Sequence, residues 1–274
     1  MSSADPRSLE RIRHHFEVER ELAQRLRNST REERTGLFKT VYTELFDRVP
    51  DHPRLTRREN AIESAQNAES QLKLLRPYLS PEVVFLEFAP GDCRLSYAAS
   101  KLAKRVVGVD ISDQRSPQDV VPSNFELIIY NGYDLSIGEA SVDVAFSYQF
   151  LEHLHPDDVD PHFELIHGAL KPGGVYIFDT PHRYSGPHDV SRHFSNTCQG
   201  FHFQEWTYRQ MFGLLRRHGF VRNHIIRFGK AQSSSAFTWM VMALESVFSV
   251  LPHAFRRKIA ARLFPSVAVV AQRA

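Results

Sequence analysis

The chain has 274 residues, 34 Lys and Arg against 32 Asp and Glu for a formal charge of +2, 42% hydrophobic and 24% charged residues. That is enough for one large domain with additions, is ordinary for a globular protein, and gives no reason to expect nucleic acid as an obligate partner. Only Cys93 and Cys198 are present, which excludes a disulfide framework and suits a reducing, cytoplasmic compartment. The opening stretch MSSADPRSLERIRHHFEVE is charged from the start and lacks the apolar core of a signal peptide. No run reaches the ~18 apolar residues of a membrane span.

Residues 1–78 read as helical. Leu9, Ile12, Phe16, Ala23 and Leu26 recur at helical spacing. Ser29 and Glu32 look like a capping box that opens a second helix, with Leu37, Val41 and Leu45 inward. Pro50-Asp51-His52-Pro53 breaks the chain. A third helix carries Ala61, Ala65, Ala68, Leu72 and Leu75. Short linkers and amphipathic faces predict a helical cap packed on the main domain, residues 79–274.

The pattern then alternates. Seven candidate strands run over Val83–Phe88, Val106–Asp110, Phe125–Tyr130, Val142–Tyr148, Val175–Asp179, Val221–Phe228 and Ser266–Gln272. Helices are predicted over Leu95–Lys104, Pro156–Leu170 and Glu205–His218, the last stopped by Gly219. Such alternation predicts an α/β fold, a Rossmann-like seven-stranded and mostly parallel sheet flanked by helices. Two segments exceed the minimal sheet: the loop Pro181–Phe203 and the insertion Ala236–Phe264. Loops on the carboxyl side of such a sheet are where specificity resides.

The stretch VVFLEFAPGDCRLSYAASKLAKRVVGVD, Val83–Asp110, is a strand–turn–helix–strand unit with an acid, Glu87 or Asp110, at each strand tip. Ligands bind beyond such tips, facing backbone N–H groups of the turn, and an acid near the second tip accepts hydrogen bonds from a ribose. The turn Ala89–Arg94, A-P-G-D-C-R, has one glycine and an Asp92 that would repel a phosphate. A nicotinamide-dependent oxidoreductase needs a phosphate-cradling G-x-G-x-x-G, so a ligand with an adenosine and no phosphates fits better.

Three further pieces sharpen the reading: SVDVAFSYQFLEHLHPDD at Ser141–Asp158, LKPGG at Leu170–Gly174, and a strand to Asp179. With LEFAPGD at Leu86–Asp92 they resemble, in order and spacing over roughly residues 80–230, the class I S-adenosylmethionine-dependent methyltransferases. The family's loop reads acid-x-Gly-x-Gly-x-Gly; here Ala89 and Cys93 stand at the first and third glycines. The resemblance implies S-adenosylmethionine as cofactor. It gives Glu87 the methionine amino group, the turn Ala89, Pro90 and Gly91 the close approach, and Asp110 the ribose, with Ile111 beside it. It gives Asn131 the adenine amino group, through its side-chain carbonyl, and Gly132 an N–H to the ring. Tyr148, Gln149 and Phe150 would stand beside the sulfonium.

A sulfonium methyl is a strong electrophile, so the enzyme mainly aligns a nucleophile and excludes water; a base is needed for a poorly acidic hydroxyl or a charged amine. Among the 14 histidines, His182, His188, His193 and His202 lie in Pro181–Phe203, after the strand whose tip should face the methyl. His188 or His193 is the expected base, with Asp189 as orienting acid; loop-stabilising hydrogen bonds are the competing role. No compact metal-ligand spacing appears there, so no metal is expected. Glu152-His153 belongs to the family's motif, where packing is as good a role as catalysis. In Ala236–Phe264 an apolar helix with Trp239, Met240, Met242, Phe248 and Leu251 precedes a basic one with Arg256, Arg257, Lys258 and Arg262. A helix pair on the sheet edge is favoured over a membrane-surface lid.

The sequence thus predicts a methyltransferase acting on a small-molecule acceptor, foremost at a hydroxyl oxygen. N- or C-methylation and a lipid-linked or glycan acceptor stay open, and a non-catalytic ligand-binding module is the alternative of another class. Nothing in the sequence fixes the oligomeric state.

Overall fold

The computed structural model describes residues 5–55, 61–135 and 137–274. Residues 1–4 and 56–60 of the predicted cap therefore lie outside the described part. The N-terminal helices are α1 (Leu9–Arg27), α2 (Arg31–Leu37), α3 (Val41–Arg48) and α4 (Ala61–Leu75). Then follow β1 (Val84–Phe88), α5 (Arg94–Ala99), β2 (Arg105–Asp110), β3 (Phe125–Ile129), β4 (Val142–Tyr148), α6 (Val159–Ala169) and β5 (Leu170–Pro181). The chain ends with α7 (Tyr208–Arg217), β6 (Phe220–Arg227), β7 (Lys230–Gln232), α8 (Ser235–Ser249), α9 (His253–Leu263) and β8 (Ser266–Arg273).

Among the described residues the sheet has eight strands, in the order β3-β2-β1-β4-β5-β8-β6-β7. The first five are parallel; β8 enters antiparallel between β5 and β6. The strand absent from the sequence reading is β7, three residues hairpinned onto β6 through Phe228-Gly229. It is too short to carry a periodic signal. The order reverses between β1 and β4, so the tips of β1, β2 and β4 flank a topological switch point, where ligands bind.

Alternation along β1 feeds two cores. Leu86 and Phe88 pack with Phe163 and Ile166 of α6 and Met211 and Leu215 of α7. Phe85 points the other way, into a cluster with Leu72 and Leu75 of α4 and Leu95 and Ala99 of α5. The predicted cap is consequently not one unit. Its last helix, α4, is a layer of the main domain, whereas α1 and α3 form a separate small core from Leu22, Leu26, Val41 and Leu45, closed by Phe201 of the long loop.

Several local readings shift by a residue or a turn. The capping box is Thr30–Glu33, one residue on from the predicted pair: the Thr30 side chain accepts from Glu33 N, and the Glu33 carboxylate accepts from Thr30 N. The predicted second helix is broken between α2 and α3 at Phe38–Thr40. The chain after α6 runs straight into β5 at Leu170, five residues before the predicted start. Gly219, at φ +80°, follows the C-cap His218 of α7 and reverses the chain into β6.

The insertion is a helix pair, as favoured from sequence. On α8, Val241, Glu245 and Phe248 are buried, and Glu245 accepts hydrogen bonds from Tyr208 N and Arg209 N at the start of α7. The opposite face leaves Trp239, Met240, Leu244 and Val247 exposed. No helix among the described residues is long and apolar enough to cross a membrane.

One guanidinium locks the N-terminal helices to the domain. Arg34, 1% exposed, donates to Asp158 through Nε and Nη2 (both 3.2 Å), to the Tyr133 hydroxyl (2.8 Å) and to the Ser29 carbonyl (2.6 Å). It joins α2 to the turn after β3 and to the start of α6. Arg34→Leu should therefore cost roughly 3 kcal/mol, the low end for breaking a buried ion pair; urea unfolding against the parent protein measures it.

Candidate functional site: the carboxyl ends of the first strands

β1 delivers Glu87 to its tip, 5% exposed and bonded by Ser96 Oγ to Oε2 at 2.5 Å. Burial pushes its carboxyl up to about 7; the Ser96 bond opposes this, and the charges of Asp92 and Asp110 add to it. The chain then turns with positive φ at Ala89 (53°), Gly91 (57°) and Cys93 (60°). These are the three positions where the resembling family carries glycine. L-residues pay about 1–2 kcal/mol for this region, so the non-glycine residues here hold the loop shape against their own preference. The turn is fastened below by Ala89 N donating to Val109 O (2.8 Å) and above by Gly91 N donating to Asp110 Oδ2 (3.3 Å).

Asp110 ends β2, buried, with Oδ1 accepting Ser112 N at 3.2 Å. Burial raises its pKa, opposed by the N–H groups of Ser112, Gly91 and Ile111. Asp110 caps the loop through these N–H groups, and each of its oxygens keeps a further lone pair for a ligand such as the expected ribose.

Beyond β3, Ile111, Ile129, Tyr130, Asn131 and Asp134 line an open cleft of about 420 Å³, whose other wall is Phe38 and Lys39 from the α2–α3 junction. Here the expectation for Asn131 needs correction. Its Oδ1 accepts Tyr133 N (2.9 Å) and Asp134 N (2.8 Å), and its Nδ2 donates to Asp134 Oδ2 (2.5 Å). The side-chain carbonyl is spent on the turn, and the carboxylate brought to the cleft is Asp134. Gly132, at φ +92°, lies under Phe38; a Cβ there would meet the ring at 3.1 Å. Phe38 and Lys39 were not legible as site residues because they approach from the N-terminal helices, far away in sequence, and Asp134 was not because Asn131 stood at the expected position.

At the tip of β4, Tyr148 is half exposed. Gln149, at φ 51°, donates its N to Asp179 O (2.8 Å) and its Nε2 to Asp179 Oδ1 (2.7 Å). Ser266 Oγ donates to Asp179 Oδ2 (2.6 Å); burial raises this carboxyl to about 6, against the Ser266 and Gln149 bonds. Phe150 stacks on Phe88.

The histidine loop is arranged differently from the sequence reading. Asp189 does not orient a histidine: Oδ1 accepts Ser191 N (3.0 Å) and Oδ2 accepts Gly200 N (3.0 Å), so it closes the loop on itself. His193 is exposed, and its Nε2 accepts from Arg192 Nε at 3.2 Å. His188 has the acid partner, and it is Glu205. Glu205 Oε1 accepts His188 N at 2.7 Å and lies 3.2 Å from His188 Nδ1 without hydrogen-bond alignment, while Ser185 Oγ lies 3.3 Å from His188 Nε2. Glu205 also faces His202 Nδ1 at 3.0 Å. Burial drives its carboxyl upward, but His188 and His202 outweigh burial and hold it down at about 2. His182 is fully buried on Glu245 of α8 (2.7 Å) and stacks on Phe264, which is a structural role.

With the switch-point site, the three left-handed turn positions and an acid on each of the first two strands, the fold defines a class I methyltransferase architecture. Residues 86–178 match the family model described as a methyltransferase domain, and the fold is that of the class I S-adenosylmethionine-dependent methyltransferases. No curated protein matches it in sequence. Among solved structures it is similar to an S-adenosylmethionine-dependent methyltransferase from Mesorhizobium loti, at 20% identity and TM-score 0.51, over 74% of this chain and 98% of that one. A methyltransferase from Archaeoglobus fulgidus gives 14% and 0.54, over 81% and 100%. The 1,6-didemethyltoxoflavin-N1-methyltransferase of Burkholderia thailandensis gives 16% and 0.53, over 89% and 91%.

The buried Glu87 carries a pH signature. Its folded pKa is raised, so below pH ~4.5 it is protonated folded or unfolded and contributes no slope. Between ~4.5 and about 7 only the unfolded chain ionises, and stability falls with rising pH. Glu87→Gln removes that group. Its stability relative to the parent should therefore rise from pH 4.5 to pH 7.5 and level off above, which denaturant melts across the range will show.

Proposed function

We propose that the enzyme methylates a small molecule, most favourably at a hydroxyl oxygen. The observation that carries this reading is His188, held by Glu205 and Ser185 in the segment that follows β5. The ring lies beside a buried carboxylate, 3.2 Å from Nδ1, a neighbourhood that suits a general base acting on a hydroxyl nucleophile. A small acceptor is supported by the Burkholderia neighbour, solved with bound 1,6-didemethyltoxoflavin and S-adenosylhomocysteine.

The residues fit the cofactor. Glu87 takes the methionine amino group, the turn Ala89-Pro90-Gly91 lets the backbone approach, and Asp110 takes the ribose. Ile111 lies against the adenine, with Gly132 at its edge. Its amino group goes to Asp134, held in place by Asn131. Tyr148 and the backbone of Gln149 stand beside the sulfonium, because the Gln149 side chain is committed to Asp179. S-adenosylmethionine supplies an electrophilic methyl group; the protein's part is to align the acceptor oxygen and remove its proton.

Asp110→Ala should weaken S-adenosylmethionine by ~1.5–3 kcal/mol, the worth of a charged hydrogen-bond acceptor, and Asp110→Asn by less. Unchanged affinity of both by calorimetry would refute the ribose assignment. His188→Ala should leave cofactor affinity within a factor of a few and lower turnover by about 10²–10⁴-fold, partly recovered at higher pH. His193→Ala should retain turnover. Equal activity of all three proteins in an assay of methyl transfer to candidate hydroxyl acceptors would remove the case for an oxygen nucleophile.

A further inference from the structure

Behind the tips of β4 and β5, three ligand-type side chains converge that the methyl-transfer reading does not use. Glu152, His153 and His202 each bring one ligand atom within 4.8 Å of the other two. Glu152 is fully buried; its Oε2 accepts from Thr180 Oγ1 at 2.9 Å, while Oε1, also buried, has no hydrogen-bond partner. His153 Nδ1 lies 3.0 Å from the Phe201 carbonyl. A carbonyl only accepts, so Nδ1 carries the proton and the neutral ring offers a lone pair at Nε2. His202 Nδ1 is taken by Glu205 Oε1 at 3.0 Å, and its ring meets that of His153 edge-on, centroids 5.0 Å apart.

Each of the three groups thus has one polar atom fixed by an outer partner, a hydroxyl, a carbonyl or a carboxylate. Outer partners of this kind orient metal ligands and set the tautomer of a ligating imidazole. An unpartnered carboxylate oxygen buried with nothing to accept from is costly, and a cation would relieve it. We propose that Glu152, His153 and His202 bind a divalent metal ion of the zinc class. Two imidazoles and one carboxylate with a fourth position open is the donor set of catalytic rather than closed structural zinc sites. Metal–ligand distances of ~2.0–2.2 Å would draw the side chains of Glu152 and His153 closer to that of His202 in the 201–205 segment. That segment is already tied to Glu152 by Phe203 N donating to the Glu152 carbonyl (2.7 Å).

Two neighbouring groups fit less well. In the set of His15, Glu19 and His52, both Glu19 oxygens are occupied, Oε2 by His15 Nε2 and Oε1 by Phe201 N. In the set of Cys198, His202 and Glu205, Glu205 already serves His188 N and His202.

The test uses the full chain stripped with a chelator and titrated with Zn²⁺ in a calorimeter, then loaded with Co²⁺ for absorption spectroscopy. One Zn²⁺ per chain is expected. Glu205→Gln, which leaves all three ligands in place, should weaken it about 10–100-fold, and His153→Ala should weaken it further. The Co²⁺ form of the unmutated protein, which needs no variant to fold, should show visible bands of a nitrogen and oxygen donor set and no thiolate charge-transfer band. Absence of Zn²⁺ binding, unchanged affinity in His153→Ala, or a thiolate band that assigns the ion to Cys198 would each overturn the proposal. Methyl transfer is not read in this experiment, so its failure leaves the functional reading standing.

Discussion

The buried Arg34 guanidinium decides where the cofactor-side cleft ends. It is held by the Tyr133 hydroxyl, Asp158 and the Ser29 carbonyl at once. Tyr133 donates in turn to Asp158 Oδ2 at 2.8 Å, so no one of these groups can leave without exposing a charge that burial makes costly. Because α2 is fixed at this point, Phe38 comes down over Gly132 and, with Lys39, forms the far wall of the cleft. A sheet of this topology without that anchor has an open carboxyl edge; the N-terminal helices make it a bounded one. Glu19 does the same for α1, accepting Phe201 N from the long loop at 2.9 Å, and Arg27 donates to the carbonyls of Gly200 and His202.

The turn after β1 shows how a motif survives the loss of its glycines. What the loop needs is a backbone with positive φ at three alternate positions, and Ala89 and Cys93 adopt it beside Gly91. Each costs about 1–2 kcal/mol, which the anchoring bonds from Ala89 N and Gly91 N and the buried seat of Cys93 offset.

On the acceptor side, proximity in sequence was a poor guide to partnership. His188 and Asp189 are neighbours in the chain, yet the Asp189 carboxylate is consumed by Ser191 and Gly200 N–H groups, and the acid that faces His188 is 17 residues on, at Glu205. The convergence of Glu152, His153 and His202 was equally hidden, because one segment follows β4 and the other follows β5. Spacing rules for metal sites read local sequence and miss such a meeting.

The sequence by itself determined the alternation of strands and helices, the acids at the tips of β1 and β2, the unusual turn between them and the resemblance that named the cofactor. These are local properties: apolar periodicity, turn residues and motif spacing are written within one strand–helix–strand unit. It erred by one residue on the capping box, joined α2 to α3, and omitted β7, whose three residues form a strand only because β6 offers a free edge. Tertiary structure alone decided that α4 joins the main core while α1 and α3 form a core of their own, that the α2–α3 junction walls the cleft, that Asn131 serves its turn and Asp134 faces the cleft, and which acid each histidine meets. A short polar side chain takes whichever partner leaves the fewest buried groups unsatisfied, and that choice depends on segments brought together from across the whole chain.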